Sequence, residues 1–409
     1  MKNYADIYNS PNDSISLDQR FYLKEEVNRG VLAYPGDSDF FLHLPGGSIT
    51  YEQPFESSPQ RSGRHNNNII KKKKSTAFSL STYFNIDTLL GAAAVTEIDP
   101  ALRVLWKSLM GVEDISGGSP VYTVGTPSIT FSLYEVGDKW ARQSPGCFVQ
   151  GGNVQLVGDG EATVEWSGNG KTTFFTGLAK STVSNDGGNT VTCEVGEGDR
   201  FRAGSAVMLI LSDGLTRSTD TPAGSPRNVV SITGDVVTVD GAPLADADGS
   251  LTPVYLVYYE PAMPTGIDDP QTGLQGSIVV AGLPSLCFRS LGINIQNNNE
   301  MKDYCYGTDA LAGTLFIPGD RLTAEITLGM NLTADIVEFF NRVQDFEGQN
   351  ITAILGAGAS RYAQFEIPRA IFQVPGFSVP DTGSIPVEFS GVAYQTAFDA
   401  ADELTVSYL

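Results

Sequence analysis

A mainly β, α+β fold, with two flanking amphipathic helices and an inserted small all-β domain, is what the sequence predicts. Three observations lead there. Short β-branched and aromatic runs, parted by Gly, Pro, Asn and Asp, recur along a chain of 409 residues, and its 44 glycines and 22 prolines show no collagen-like period. Helical period is confined to two windows. Between about Ala179 and Pro261 the runs become short and purely β in character.

Phe40–Leu44 and Ile49–Tyr51 read as strands. Ser75–Ile86 alternates Phe78, Leu80, Phe84 and Ile86 with Ser79, Ser81, Tyr83 and Asn85, the period of a half-buried strand. Between them runs a polar, basic connection from Glu56 to Lys74. It holds Arg61, Arg64, His65, Lys71, Lys72, Lys73 and Lys74, and at about nineteen residues it is too long for an ordinary hairpin turn of two to five. It is expected to be disordered or reserved for a partner.

Pro100–Met110 carries four agreeing helix signals: Asp99 as N-cap, Pro100 in the first turn, Leu102, Leu105, Trp106 and Leu109 at i, i+3, i+4 and i+7, and Gly111 as the stop. Strands follow at Pro120–Val124, Ser128–Leu133, Asn153–Val157 and Ala162–Ser167. Within the inserted segment, Thr190–Val195, Ala206–Leu211, Val229–Ile232, Val236–Val239 and Tyr255–Tyr259 predict a small barrel or sandwich, with Gly168–Lys171 and Pro264–Gly273 as its linkers. Beyond it come strands at Ser277–Val280, Ser290–Ile295 and Arg321–Leu328. A second helix, capped by Thr333, has Ile336, Phe339, Phe340 and Val343 on one face and ends before Gly348. Strands near Ile351–Leu355, Gln364–Ile367 and Ile385–Ala393 finish the chain. The organisation is therefore an N-terminal arm (1–20), a first body segment (21–178), the insert (179–262) and a second body segment (263–409). The arm's isolated apolar points are Tyr4, Ile7, Tyr8 and Ile15, so it is expected to gain structure only against something else.

Composition narrows the function classes. The formal charge of −21 opposes nonspecific adhesion to nucleic acid or anionic membrane. No apolar run approaches the roughly 20 residues that cross a bilayer, and residues 1–20 hold no signal-like segment, so a soluble protein is expected. Cys147, Cys193, Cys287 and Cys305 form no CxxC pair and read as buried small hydrophobes. His43 and His65 have no neighbours resembling a metal site or catalytic relay. Trp106, Trp140 and Trp166 read as core anchors. No catalytic, cofactor-binding or metal-ligating set emerges.

The strands of Phe40–Tyr51, the long basic connection, the Ser75–Asn85 strand, the capped first helix, the phrase GINIQNN at Gly292–Asn298, the second helix and the ending IPRAIF…GSIPVEFSGVAY together resemble the tail tube proteins of long-tailed bacteriophages. The resemblance covers roughly residues 20–175 and 275–409 and leaves the insert outside. It implies a tail-tube β-sandwich or barrel whose copies form homohexameric rings by joining inner sheets edge to edge. Stacked rings would make the hollow tube through which DNA is ejected, in the virion tail, after synthesis in the host cytoplasm. It implies no enzyme activity, no cofactor and no membrane. The partners would be further copies, other tail proteins (tape measure, terminator, tip) and double-stranded DNA in transit without specific binding. The arm (Tyr4, Ile7, Tyr8) and the basic connection (Arg61, Arg64, His65, Lys71–Lys74) would reach between subunits or rings. For the same lysines a solvated face is the second reading and a DNA contact the last, since no aromatic residues interleave with them, and the acidity reads evenly as a repulsive lumen or plain solubility. The rivals from other classes are a phage polysaccharide-degrading enzyme, which needs paired carboxylates, and a carbohydrate-binding surface module.

Overall fold

The computed structural model describes residues 2–10, 19–58, 61–62, 65–66, 69–71, 74–84, 98–116, 119–126, 129–183, 188–222, 224–244, 253–263, 276–283, 286–301, 316–317, 322–356, 362–376 and 382–409. It is mainly β, with large antiparallel sheets and few helices.

The main ladder starts at Ser48–Glu52 and runs through Ser75–Tyr83, Thr163–Gly170, the C-terminal half of Ala141–Val157, Phe288–Gln296, Thr323–Asn331 and Pro386–Ala393. It continues through Ala363–Phe372 and Gln349–Leu355 to Gly276–Val280. A branch leaves Ala363–Phe372 through Thr405–Tyr408 and Val121–Val124 to Gly111–Asp114. The N-terminal half of Ala141–Val157 belongs to a second ladder, where it pairs with Phe131–Val136 and Phe174–Thr176. Phe131–Val136 then pairs with Arg20–Glu25, and that strand with Phe40–Phe41. One strand thus serves both ladders, with register shifts at Val149/Gly151 in one pairing and Phe131/Leu133 in the other that let it bend.

Period-2 burial holds where the sequence alternates: Ser75–Tyr83 buries Thr76, Phe78, Leu80 and Thr82 and turns Ser75, Ala77 and Ser79 outward. Against the buried face pack helices α2 (Pro100–Met110) and α3 (Ile336–Gln344), the second and third in the chain. In α2 the Asp99 carboxylate accepts from the Ala101 N–H, and Gly111 closes the helix at φ +95°, where any Cβ would be strained. Trp106 lies edge-on to Trp166 at 4.8 Å and donates its Nε1–H to the Tyr408 hydroxyl at 2.8 Å. Burying each of Leu102, Leu105 and Leu109 stabilises the fold by roughly 1.5–3 kcal/mol. In α3, Phe339 packs edge-on against Phe389 at 4.8 Å and Phe372 at 5.8 Å.

Leu178–Val183, Thr190–Cys193, Val236–Val239, Arg227–Thr233, Ala206–Leu211 and Pro253–Tyr258 close into a six-stranded barrel. Its core holds Val191, Phe201, Leu209, Val237 and Leu256. A second apolar cluster joins barrel to body: Leu178, Met208, Ile210, Val257 and Tyr258 pack with Tyr22, Phe40, Tyr134, Val136 and Ala141.

Several sequence expectations are corrected. Gly168–Gly170 is not linker but the end of strand Thr163–Gly170, and a Cβ on Gly168 would lie 2.1 Å from the Phe148 carbonyl oxygen. The arm does not wait for an outside partner. Tyr4–Asn9 is a helix, α1, capped by the Asn3 side chain and packed on its own chain. The N-cap of α3 is Asp335 rather than Thr333, while the helix does end before Gly348, at Gln344, with a turn at Phe346 (φ +53°). Of the two expectations for the long connection, disorder gives way to local strands: Phe55–Ser57 pairs with Ile69–Lys71 and Arg61–Ser62 with His65–Asn66, extending the hairpin as a narrow ribbon. Phe40–Leu44 yields strand only at Phe40–Phe41. Cys287 is exposed, unlike Cys147 and Cys193. Trp140 is half-buried, unlike Trp106 and Trp166. Ile15, Arg64, Lys72, Lys73, Ile86, Cys305, Arg321 and residues 264–273 lie outside the described residues.

Candidate assembly face and strand edges

Because the main ladder buries one face under α2 and α3, alternation puts every second residue on the other. Its rows are read directly from the register. One runs Ser81, Glu165, Asn153, Asn294, Glu325, Val392; a second runs Ser79, Ser167, Gly151, Gln296, Thr323; a third runs Tyr83, Thr163, Gln155, Gly292, Thr327, Ser390. None of these rows contains a lysine or arginine. Amides bond along the strands: Gln155 Nε2 donates to Asn153 Oδ1 at 2.8 Å and Gln296 Nε2 to Asn294 Oδ1 at 3.0 Å. Glu165, Glu325 and, one row on, Glu388 are exposed, while Arg289 reaches Asn331 at the far margin. The result is a broad, hydroxyl- and amide-covered surface whose central charges are negative. Such a surface holds water well and repels phosphate at short range, within about 8 Å at physiological salt.

Three strands bound this system with one side unpaired among the described residues. Ser48–Glu52 pairs only with Ser75–Tyr83, Gly276–Val280 only with Gln349–Leu355, and Gly111–Asp114 only with Val121–Val124. Open edges are pairing templates unless something blunts them. The first is partly engaged from within, since Arg142 Nη1 donates to the Ile49 carbonyl. The same guanidinium pairs with Glu135, whose side chain is wholly buried, through a 2.6 Å Nε–Oε2 contact and a 2.7 Å Nη2–Oε1 hydrogen bond. Burial raises the Glu135 carboxyl above the usual carboxylate range, and Arg142 pulls it back.

The predicted contact residues fall into two groups that the structure does not bring together. Arg61, His65 and Lys71 have their backbones in the ribbon, and Lys74 stands at its root. The arm residues face inward. Tyr4 is 6% exposed and its hydroxyl donates to Glu260 at 2.8 Å, beside Arg20 and Lys2. Tyr8 donates to Glu197 at 2.9 Å and Glu194 at 3.0 Å on the barrel, and Ile7 packs on the shared cluster. Sequence reasoning placed these three outward because it could not see the barrel surface they would meet.

A cleft of about 520 Å³ opens where α1, the body and the barrel meet, lined by Tyr8, Lys139, Trp140, Phe175, Arg200 and Arg202 among others. Sequence reasoning missed it: its residues are scattered from Ile7 to Arg202. Among the described residues no group of three or more His, Cys, Asp or Glu could hold a metal, and no helix is long and apolar enough to cross a membrane. Burial and the neighbouring Glu197 and Asp235 push the Cys193 thiol up to about 12, which makes it a poor nucleophile.

Compared with protein-family models and with curated proteins, the chain matches none.

Proposed function

We propose that the chain is a structural, self-assembling protein of a phage tail, whose copies join around a channel into homohexameric rings that stack into a DNA-conducting tube. The observation that carries this reading is the two-faced main ladder: one face is wholly core, the other is wide, polar and free of cations in its central rows, and its margins are strands with one side unpaired among the described residues. Identical copies meeting at those margins would satisfy the open N–H and C=O groups and turn the carboxylate-bearing face toward the passing genome. The ribbon carrying Lys71 and Lys74 extends beyond the ladder, where its charge suits contact with an acidic neighbouring ring.

The rival polysaccharide-degrading enzyme needs two carboxyl groups about 5–10 Å apart. On this face Glu165 and Glu325 are separated by two intervening strands, three spacings or about 14 Å at the backbone. That spacing favours a surface over a catalytic pair.

Negative-stain microscopy of the purified protein at increasing concentration tests the proposal. Rings or tubes are expected, and discrete monomers at every concentration would overturn it. Replacing Lys71–Lys74 with Glu should leave circular dichroism unchanged and stop rings from stacking.

A further inference from the structure

Two features of the surface complement one another. The first is a knob. Between strands Pro386–Ala393 and Thr405–Tyr408 the chain makes a tight turn with Phe398 at its tip, 94% exposed. Asp399 and Ala401 both sit at positive φ, +58° and +51°, a conformation that costs non-glycine residues free energy. The turn is held by the Asp402 carboxylate, which accepts from the Thr396 N–H at 2.9 Å and from the Thr396 hydroxyl. A bulky aromatic presented to water on a braced, strained turn is the opposite of what solubility favours.

The second is the cleft at the junction of α1, body and barrel. Trp140 and Phe175 stack at 5.8 Å with 15° between their planes, Arg142 lies over the Trp140 ring at 5.2 Å, and Phe175 remains 56% exposed. Around this aromatic floor the lining carries Lys139, Arg200 and Arg202 and one acid, Asp199, with Glu194 and Glu197 at its side bonded to Tyr8, in a chain of net charge −21. Arg200 is held by Glu197 and Lys139 by the Ser10 carbonyl, while the exposed Arg202 guanidinium donates one long bond, 3.4 Å from Nη1 to the Phe201 carbonyl, and has further N–H groups to meet an incoming carboxylate.

We propose that the Phe398 turn of one copy seats in the Trp140–Phe175 cleft of a second copy, with Asp399 facing Arg202. The inference rests on the self-assembly reading and deepens it by naming a contact. The charges are opposite, and the cleft volume lies within the range of pockets that bury an organic group. Phe398 is not in its own chain's cleft, since it is almost fully exposed. Knob and cleft on different surfaces give a head-to-tail contact, which repeats from copy to copy and builds a ring or filament. A buried aromatic anchor in such a contact typically dominates its affinity.

The test uses the full-length protein and a synthetic peptide of residues 394–402. Of the three tryptophans only Trp140 is partly exposed, so tryptophan emission reports on the cleft. Saturable change on titrating the peptide is expected. It should weaken at least about tenfold with a Phe398→Ser peptide, and likewise with a Phe175→Ser or Arg202→Glu protein. No response to the peptide, or an equal response to the Phe398→Ser peptide, overturns the contact whether or not the wild-type protein assembles. Displacement of the peptide only by anionic saccharides, with full-length Phe398→Ser protein assembling as wild type, would instead make the cleft a small-molecule site and also overturn it. Rings from wild type but not from Phe398→Ser support it. Absence of wild-type rings alongside Phe398-dependent peptide binding would fail the tube reading alone.

Discussion

Asn297 ties the first helix to the main ladder with one side chain. Its Nδ2 donates to the Val149 carbonyl at 2.7 Å and reaches those of Ser108 and Leu109 at 3.3 and 3.4 Å, while its Oδ1 accepts from the Asn299 N–H at 3.2 Å. Asn297→Ala should cost about 1–3 kcal/mol, because it strands buried carbonyls at the end of α2; urea titration reads this directly. The residue sits in the phrase GINIQNN, yet its role was invisible in sequence, since the carbonyls it donates to lie 148 to 189 positions away. Arg142 is a second case. Arg142→Ala should cost about 3–5 kcal/mol at neutral pH by leaving the buried Glu135 without its cation, with the Gln19 amide still donating to it at 2.6 Å. Glu135 has a raised folded pKa, so its favourable contribution is complete below the ordinary value of 4.5 and lost as pH rises through the folded value. The deficit of the variant should therefore shrink as urea titrations are repeated toward acid pH.

At the scale of elements, α2 was legible to the residue because cap, proline, period and glycine all lie within thirteen positions and agree. Helix α3 was legible in its buried face but not its ends. Thr333 offers a cap in one dimension, whereas the chain enters the helix with the Ile336 and Val337 N–H groups donating to the Thr333 and Ala334 carbonyls. Ala141–Val157 was half missed for a physical reason: most of its first twelve residues are buried on both sides, so no alternation marks them. Helix α1 has six residues and escapes period analysis altogether. Its docking carries a pH prediction. Burial, then Glu260, raises the Tyr4 hydroxyl, and burial, then the hydrogen bond to Glu197, raises that of Tyr8. With folded values above the ordinary 10.0, this contribution is complete below about pH 10 and is lost as pH rises through the folded values. Limited proteolysis should clip the N-terminal segment first as pH passes 10, and combined Tyr4→Phe and Tyr8→Phe substitution should remove that sensitivity.

Over the whole molecule, the β-rich class and the change of texture near residue 179 could be read from turn residues and strand length alone. How closely the barrel is joined to the body could not. Excising residues 178–258 would expose Tyr22, Tyr134, Val136 and Ala141 and remove the bonds between Gln143 and Ala206, which run both ways at 2.7 and 2.8 Å. The excised variant is expected to lose solubility or unfold at markedly lower temperature, as scanning calorimetry of the soluble fraction would record. The strand Ala141–Val157 gives the fold a mechanical property of its own. Because a single backbone is stitched into both ladders, tension on one reaches the other along covalent bonds and lateral hydrogen bonds in shear, without depending on side-chain packing between layers. Under the proposed self-assembly, a wall made from such units would stretch and bend as a woven fabric does, with strain shared around each ring before any layer peels away.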